Sequence, residues 1–548
     1  MTLILQAVLA FLPILLAMIL LVGFRLAARY AMPIVLAVTV AIAISVWKMD
    51  IMVIAASAVQ GLFITVDVLY IILGALLLLS ILKYSGGLGA IRYYFTQISP
   101  DRRIQIIIIA WLFGSFLEGA SGFGTPAAIV APLLVAIGFP GMAAVMVGLM
   151  VQSTAVTFGA IGTPILIGVN NGLTEGIMTA ENKVRFLQDV TSQASIIHAL
   201  VGTFIPWLMI VMSVLFFGKR TDRKKCLTIA PFAVFSGLAF TVPYTVTAMF
   251  FGPEFPSLLG SMIGLLVVLT AVKYRFLIPK DSWDFPDKSS WPESWSGKIQ
   301  ADSREIAAPG MSIFKALLPY LVVSVLLIVT RKVGWGIGNY LKSFEISWSS
   351  IFGTTISANS TPLYLPATMM VLSALTAVFV YRMPGAKVKK ATIEAARISV
   401  MAAFVLLFTI PMVRIYINSG MNTSGLASMP VALAEWTASR TADIWPFISP
   451  FVGALGAFIA GSNTVSNLMF TEFQYSVADK LGYSNVLIVS LQAVGAAAGN
   501  MIAIHNIVAV AAVVGLMGKE GTFLRKTIIP TLYYLLAAGV LGMILTHT

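Results

Sequence analysis

Long runs of hydrocarbon side chains, broken by short polar stretches, organise this chain. It opens with apolar runs at 3–24, 30–47 and 51–82. A helix needs about 20 apolar residues to cross a bilayer. The third run is too long for one ordinary span and is expected to tilt, break or turn near Asp67. The runs 104–120, 126–139 and 141–170 form a first interrupted region. The runs 191–217, 227–251 and 256–272 come next. After a polar segment follow 311–330, 364–381 and 398–419, then a second interrupted region at 445–462, 465–479 and 484–516, and a last run at 527–547. The 465–479 piece carries Glu472, Gln474 and Asp479 and reads as a re-entrant or interfacial arm. No basic residue precedes the first run, and Arg25 and Arg29 follow it. That pattern predicts a first span with an outside N-terminus rather than a cleaved leader.

Basic residues orient the runs, because cytoplasmic loops carry an excess of Lys and Arg. Arg25 and Arg29, then Lys83, Arg92, Arg102 and Arg103, then Lys219 to Lys225, then Arg382 to Lys390, then Lys519, Arg525 and Lys526 are expected inside. The loops 171–190, 252–254 and 420–444 are acidic or neutral and are expected outside. Arg331, Lys332 and Lys342 fall outside and run against the scheme. Three spans then precede each interrupted region and one follows it, and the two regions begin on opposite sides. The predicted fold is an all-α polytopic membrane protein built as two inverted-topology repeats, 1–226 and 311–548, whose broken or re-entrant helices (104–170 and 445–516) meet near the bilayer midplane. A two-span hairpin, 227–272, and a cytoplasmic loop, 273–310, join them. The loop's balanced charges predict a mobile connector, with Trp283, Trp291 and Trp295 available as interfacial anchors. Inverted repeats with broken helices are a mark of secondary transporters.

Composition agrees. The 548 residues are 59% hydrophobic and 10% charged, with a mean hydropathy of +0.94; soluble domains carry about 25% charged residues. A net charge of +13 would suggest nucleic acid in a soluble protein, but here it follows the loops, and no nucleic-acid partner is expected. The single cysteine, Cys226, excludes an internal disulfide and a cysteine metal cage. The bilayer and a small solute are the expected partners; no obligate protein partner is evident.

The stretch Gly114–Ile129, GSFLEGASGFGTPAAI, places Glu118 at membrane depth and then Gly119, Gly122, Gly124 and Pro126 beside Ser121 and Thr125. Glycine and proline free backbone groups that lipid cannot satisfy. Gly114–Ser121 lines up with Gly456–Asn463, with Gly119 opposite Gly461 and Glu118 opposite Ala460. A similar distance beyond each match stand Gln152 and Gln492. Charges at such depth are functional candidates by default. Glu118 is either a proton carrier or gate, or a cap on the broken backbone. Arg414 is a carboxylate binder, the partner of Asp67 in a buried pair, or a snorkelling cation. His505 stands out among the histidines because Asn500 and Asn506 flank it; His198 reads as a packing residue, and His547 is terminal. The expected substrate-binding set is Ser121, Gly122, Gly124, Thr125, Gln152, Arg414, Ser462, Asn463, Thr464 and Gln492, with Glu118, His505 and Asp67 as proton-coupling candidates. Thr163, Ser466 and Asn467 belong to the same polar group; the alternative for all of them is interhelical hydrogen bonding. No His–acid spacing suggests a metal, and no phosphate loop, dinucleotide fingerprint or nucleophile elbow is present.

GSFLEGASGFGTP closely resembles the signature of the lactate permease family of bacterial proton symporters. The resemblance extends through Gly148–Pro164, Gly453–Phe470 and Gln492–Val510 and covers essentially the whole chain. It implies a non-enzymatic import of L-lactate, D-lactate and glycolate across the inner membrane, with the proton as coupling ion and no cofactor. The residues themselves reach only a secondary transporter for a small anionic solute. They leave open a sodium-coupled carboxylate transporter and, in another class, an intramembrane enzyme, for which no nucleophile or metal cluster is found.

Overall fold

The computed structural model describes residues 1–24, 26–122, 124–296, 310–331 and 335–546. Arg25, Lys332, His547 and the C-terminal part of the 273–310 loop lie outside the described residues. Helices α1 (Leu3–Met18), α2 (Ala28–Ser45) and α3 (Ile51–Ser85) open the chain. Next come α4 (Arg102–Ser121), α5 (Thr125–Ala136), α6 (Gly141–Met150) and the wide-turned α7 (Pro164–Val169). Helices α8 (Ala180–Gly202), α9 (Ile205–Phe217), α10 (Ala230–Phe251) and α11 (Pro256–Lys273) lead to the second half. That half contains α12 (Ile313–Arg331), α13 (Pro366–Val380), α14 (Gly385–Ile417), α15 (Met429–Thr441), α16 (Trp445–Ala460), α17 (Asn463–Leu481), α18 (Asn485–Gly499), α19 (Ile504–Val514) and α20 (Glu520–Leu545). Eleven described helical stretches are long and apolar enough to cross a membrane. A short antiparallel pair, Ile346–Trp348 with Ala358–Ser360, is the only sheet among the described residues.

The long third run does not break at Asp67. Helix α3 is continuous for 35 residues, or ~52 Å at ~1.5 Å per residue. Asp50 caps its start by accepting from the Met52 N–H, and left-handed Gly86 ends it. The excess length beyond a bilayer is clothed by protein: the 346–360 strands lie along it, and Ser360 Oγ donates to Asp67 Oδ1 at 2.5 Å. Helix α14, 33 residues long, packs antiparallel against α3, so closely that a Cβ on Gly61 would sit 2.5 Å from the Pro411 Cα.

The two interrupted regions begin as hairpins. Arg102 Nη1, at the start of α4, donates to the carbonyl of Ile137 just past the end of α5. Those helices are therefore antiparallel arms whose turn carries Gly122 and Gly124. In the same way Trp445 Nε1 of α16 donates to Gln474 Oε1 of α17, and Ser466 Oγ donates to the Gly453 carbonyl. The 465–479 piece is thus a re-entrant arm, but it is not interfacial: from Asn463 to Gln474 every residue is buried. Its polar side chains through Gln474 face protein rather than water, and Asp479 at its end is exposed.

The hairpins enter from opposite ends of the bundle. Lys83 meets Glu394, and the Tyr381 hydroxyl meets the Lys315 carbonyl, at the basic end where α4 and α5 are rooted. At the other end Trp47 Nε1 donates to Ala427, before α15 and hairpin α16–α17. Arg331, the basic residue on the wrong side by charge, is neutralised there. Its Nε lies 2.8 Å from Glu254 Oε1, and its guanidinium covers the Tyr364 ring.

Through residue 296 the connector is packed against the first half. Trp283 is buried, so it does not serve as an interfacial anchor. Arg102 pairs with Asp284 at 2.8 Å, and the Arg102 N–H donates to the Trp283 carbonyl. Fully buried Arg103 forks onto Asp101 at 2.7 Å and reaches Asp281 and the Lys225 and Asp281 carbonyls. The linker thereby clamps the root of the first hairpin. Arg103→Ala leaves Asp101 buried without its partner, which costs about 3–5 kcal/mol. The unfolding midpoint of the purified protein is expected to fall by several degrees, with Arg103→Lys recovering only part because an ammonium lacks the planar fork. An unchanged midpoint in Arg103→Ala would show that the clamp carries no stability.

Candidate functional site

Four interruptions converge at the centre. In the first hairpin, α4 ends at Ser121 and the chain turns through Gly122 (φ 57, ψ −153) and Gly124 (φ 74). The Gly122 conformation is open essentially to glycine alone. Pro126 starts α5, where its missing N–H costs nothing. In the second hairpin, α16 ends at left-handed Gly461, and Ser462 caps α17 by accepting from the Val465 N–H. The residue that ends its helix as Gly461 does is therefore Gly122, three residues beyond the Gly119 that the sequence match pairs with it, while Gly461 shares its left-handed conformation with Gly124. Gly119 stays helical and serves packing, since a Cβ there would lie 2.6 Å from the Leu258 nitrogen.

The other two interruptions cross the hairpin tips. Between α6 and α7 the chain unwinds, and Ala160, Ile161 and Gly162 all have positive φ. Between α18 and α19, residues 500–503 form a turn. A small cavity is bounded by Glu118, Gly122, Gly124, Gly159, Ala160, Gly461, Ser462, Asn463, Thr464 and Asn500. The N-termini of α5, α17 and α19 end around it, and helix N-termini favour anions. Partly unwound helices at depth are tolerated where they line such a cavity.

Glu118 is 2% exposed and has one side-chain hydrogen bond, from Gln152 Nε2 to Oε2 at 3.1 Å. Gly159 leaves room for the other oxygen; a Cβ there would lie 2.5 Å from Oε1. Gln152 Oε1 is buried without a hydrogen-bond partner. The carboxylate therefore borders the cavity and does not cap the chain break: the N–H after the helix, of Gly122, is bound by the Glu118 backbone carbonyl.

The remaining expected residues divide. Gly122, Gly124, Ser462, Asn463 and Thr464 line the cavity. The hydroxyls of Ser121 and Thr125 are committed to the Leu117 and Gly122 carbonyls. Gln492 lies inside the second hairpin, donating to Ser466 Oγ and accepting from Gln474. His505 packs against Gly461 and, with Asn506, faces a larger, mostly apolar cavity between the second hairpin, α19 and helices α1, α2, α3 and α14.

Arg414 is not at the tips, and it does not pair with Asp67. Its Nε donates to Gln60 Oε1 at 2.7 Å and its Nη1 to the Asn171 carbonyl at 2.9 Å. Gln60 in turn donates to Glu175, and Thr174 Oγ1 donates to Glu472 Oε2 at 2.5 Å. Along α17 this cluster lies about 13 Å from Asn463 at ~1.5 Å per residue. Gln60, Glu175 and Glu472 escape a sequence reading that treats Glu472 only as an interruption. The signal that could have found them is a carboxylate in an arm otherwise rich in Asn, Gln and Thr. Among the described residues no three His, Cys, Asp or Glu side chains gather as a metal site would need.

The family described as L-lactate permease matches residues 6–548. A Haemophilus influenzae protein named provisionally as an L-lactate permease is 30% identical, over 98% of each chain. The L-lactate permease of Escherichia coli K12 is 27% identical over 98% of this chain and 95% of its own. The glycolate permease GlcA of the same organism is 27% identical with the same coverage. With eleven apolar spans and bacterial permeases as relatives, the chain is a multi-pass protein of the bacterial inner membrane.

Gly122→Ala tests the tip geometry. It forces a Cβ into a glycine-only conformation and to 2.9 Å from the Ala160 Cβ, at a cost of about 1–3 kcal/mol. Its unfolding midpoint is expected below that of Gly521→Ala, where a Cβ meets open space. Equal midpoints would mean that the turn relaxes freely.

Proposed function

The chain belongs to the L-lactate permease family, and we propose that it imports L-lactate, with D-lactate and glycolate as further substrates, by proton symport. The observation that carries this reading is one buried carboxylate, Glu118, bordering the cavity where two hairpin tips meet. The substrate anion sits at that cavity, with Ser462, Asn463, Thr464 and the backbone N–H groups of the tips as donors. Two features support the companion proposal of inverted repeats: the hairpins enter from opposite ends, and they turn at Gly122 and Gly461.

The coupling follows from charge. Moving lactate inward against a negative-inside potential needs a compensating positive charge. Glu118 takes up a proton on the outer side and carries it inward beside the anion. An ionised Glu118 and a carboxylate a few ångströms away repel in a site of low dielectric. Each load therefore favours the other, and the coupling is reciprocal. Gln152 holds the carboxylate side chain in place in either protonation state. His505, beside Gly461 rather than Glu118, is the weaker proton candidate. Asp67, bound to Ser360 along α3, and Arg414, in the cluster away from the tips, serve the frame around the site.

Two outcomes are expected. In proteoliposomes, Glu118→Gln exchanges labelled for unlabelled lactate but does not accumulate it under an imposed pH gradient, while His505→Gln still accumulates. Accumulation by Glu118→Gln would remove Glu118 from the proton path. Replacing Na⁺ by choline at a fixed pH gradient leaves uptake unchanged; loss of uptake would favour sodium coupling. Second, the double substitution Ser462→Ala with Asn463→Ala raises the transport KM at least tenfold, in line with two lost hydrogen bonds of about 1 kcal/mol each. Native lactate affinity in that variant would move the site elsewhere.

A further inference from the structure

His198 is read from sequence as a packing residue, but its place is more specific. It lies on α8, is fully buried, and uses both ring nitrogens. Nε2 is 2.8 Å from Thr157 Oγ1 and Nδ1 is 2.5 Å from the Tyr534 hydroxyl of α20. Thr157 belongs to the unwound stretch between α6 and α7, two residues before Gly159, the glycine that makes room for Glu118. Its Oγ1 donates to the Ala493 carbonyl of α18 at 3.1 Å. Asn463 Nδ2, at the second hairpin tip, reaches the same carbonyl at 3.2 Å and Thr157 Oγ1 at 3.5 Å. Asn463 Oδ1 is held by Asn467 Nδ2 at 2.9 Å.

Donor capacity orders these bonds. A carbonyl only accepts, so the one hydroxyl proton of Thr157 goes to Ala493. Thr157 then offers lone pairs to its other neighbours, His198 Nε2 among them. Tyr534, whose oxygen lies against His198 Nδ1, donates to Thr154 Oγ1 at 3.1 Å, and the Thr154 carbonyl accepts from Tyr244. The unwound stretch is thus tied to α8, α10, α18 and α20 at Thr154 and Thr157 while its next residues face the cavity.

We propose that His198 is a positioning residue of the substrate site. Acting through Thr157, it holds the unwound stretch against the Asn463 amide, so that the backbone N–H groups of the hairpin tips keep a fixed place around the anion. This rests on the reading of the cavity as the lactate site. It goes beyond that reading by assigning the set-up of Asn463 to a histidine that touches neither substrate nor Glu118.

The test uses the full-length protein in proteoliposomes and in detergent, with L-lactate as the probe. In His198→Gln the side-chain amide reaches the Nε2 position and can donate to Thr157. In His198→Asn it reaches only the Nδ1 position. Thr157→Val removes the hydroxyl at constant shape. Expected are a lactate KM near native for His198→Gln and one raised about tenfold for His198→Asn and for Thr157→Val, the size of one lost buried hydrogen bond. The maximal rate per folded molecule stays within about twofold, and the His198→Asn/Thr157→Val double variant is no worse than either single one. A merely structural histidine would lower the amount of folded protein and leave the KM of the survivors unchanged. Native KM in Thr157→Val, or equal KM for His198→Gln and His198→Asn, would overturn the inference, and the Thr157 result decides even if a His198 variant fails to fold. Absence of lactate binding by the native protein would overturn the substrate reading instead.

Discussion

Everything near the centre of this protein answers one constraint: backbone groups released by a broken helix cannot be left to lipid. Four interruptions meet in one place. Between α6 and α7 the freed carbonyls are taken by side chains: Ser257 donates to the Ala155 carbonyl, Tyr244 to Thr154, Asn467 to Pro164 and Thr163 to Ala160. The other three are closed by their own residues: Thr125 donates to the Gly122 carbonyl, Ser462 accepts from the Val465 N–H, and Asn506 donates to the Asn500 carbonyl. The cavity is what remains where no side chain closes the gap.

The same constraint decides what the sequence reveals and where it misleads. The apolar runs and basic loops carry the architecture because bilayer thickness and loop charge act on composition directly. Arg331 is a true exception, and its cause, Glu254, lies far away in the chain. The arm 465–479 looks weak because polarity in a membrane protein signals water or protein, and composition alone does not separate the two. Gln474 bridges Trp445 and Ser449 within the hairpin and Gln492 of α18. Likewise Gly119 looks like the break because glycine signals either a turn or a close contact. Here Gly119 is the contact and Gly122 the turn.

The legible part of the site is Glu118 and the tip residues, since a carboxylate amid glycines at membrane depth can do little besides carry a proton or cap a chain break. Arg414 is equally conspicuous but belongs to a separate polar cluster, because charge at depth marks any satisfied network, binding site or not. His198 is illegible for a different reason. Its partners Thr157 and Tyr534 come from distant stretches, and nothing in its own helix announces them.

The clamp on the first hairpin also has a consequence in time. Arg102 and its partner Asp284 are 182 positions apart in the chain. At a synthesis rate of about 5–20 residues per second, the root of that hairpin exists for roughly ten to forty seconds before its fastening emerges from the ribosome. During that interval the first half is unlatched, with Arg102 lacking Asp284 and Arg103 lacking Asp281. The connector is therefore a late-arriving assembly factor encoded in the same chain, and the first half acquires its final form only after the linking spans have been made.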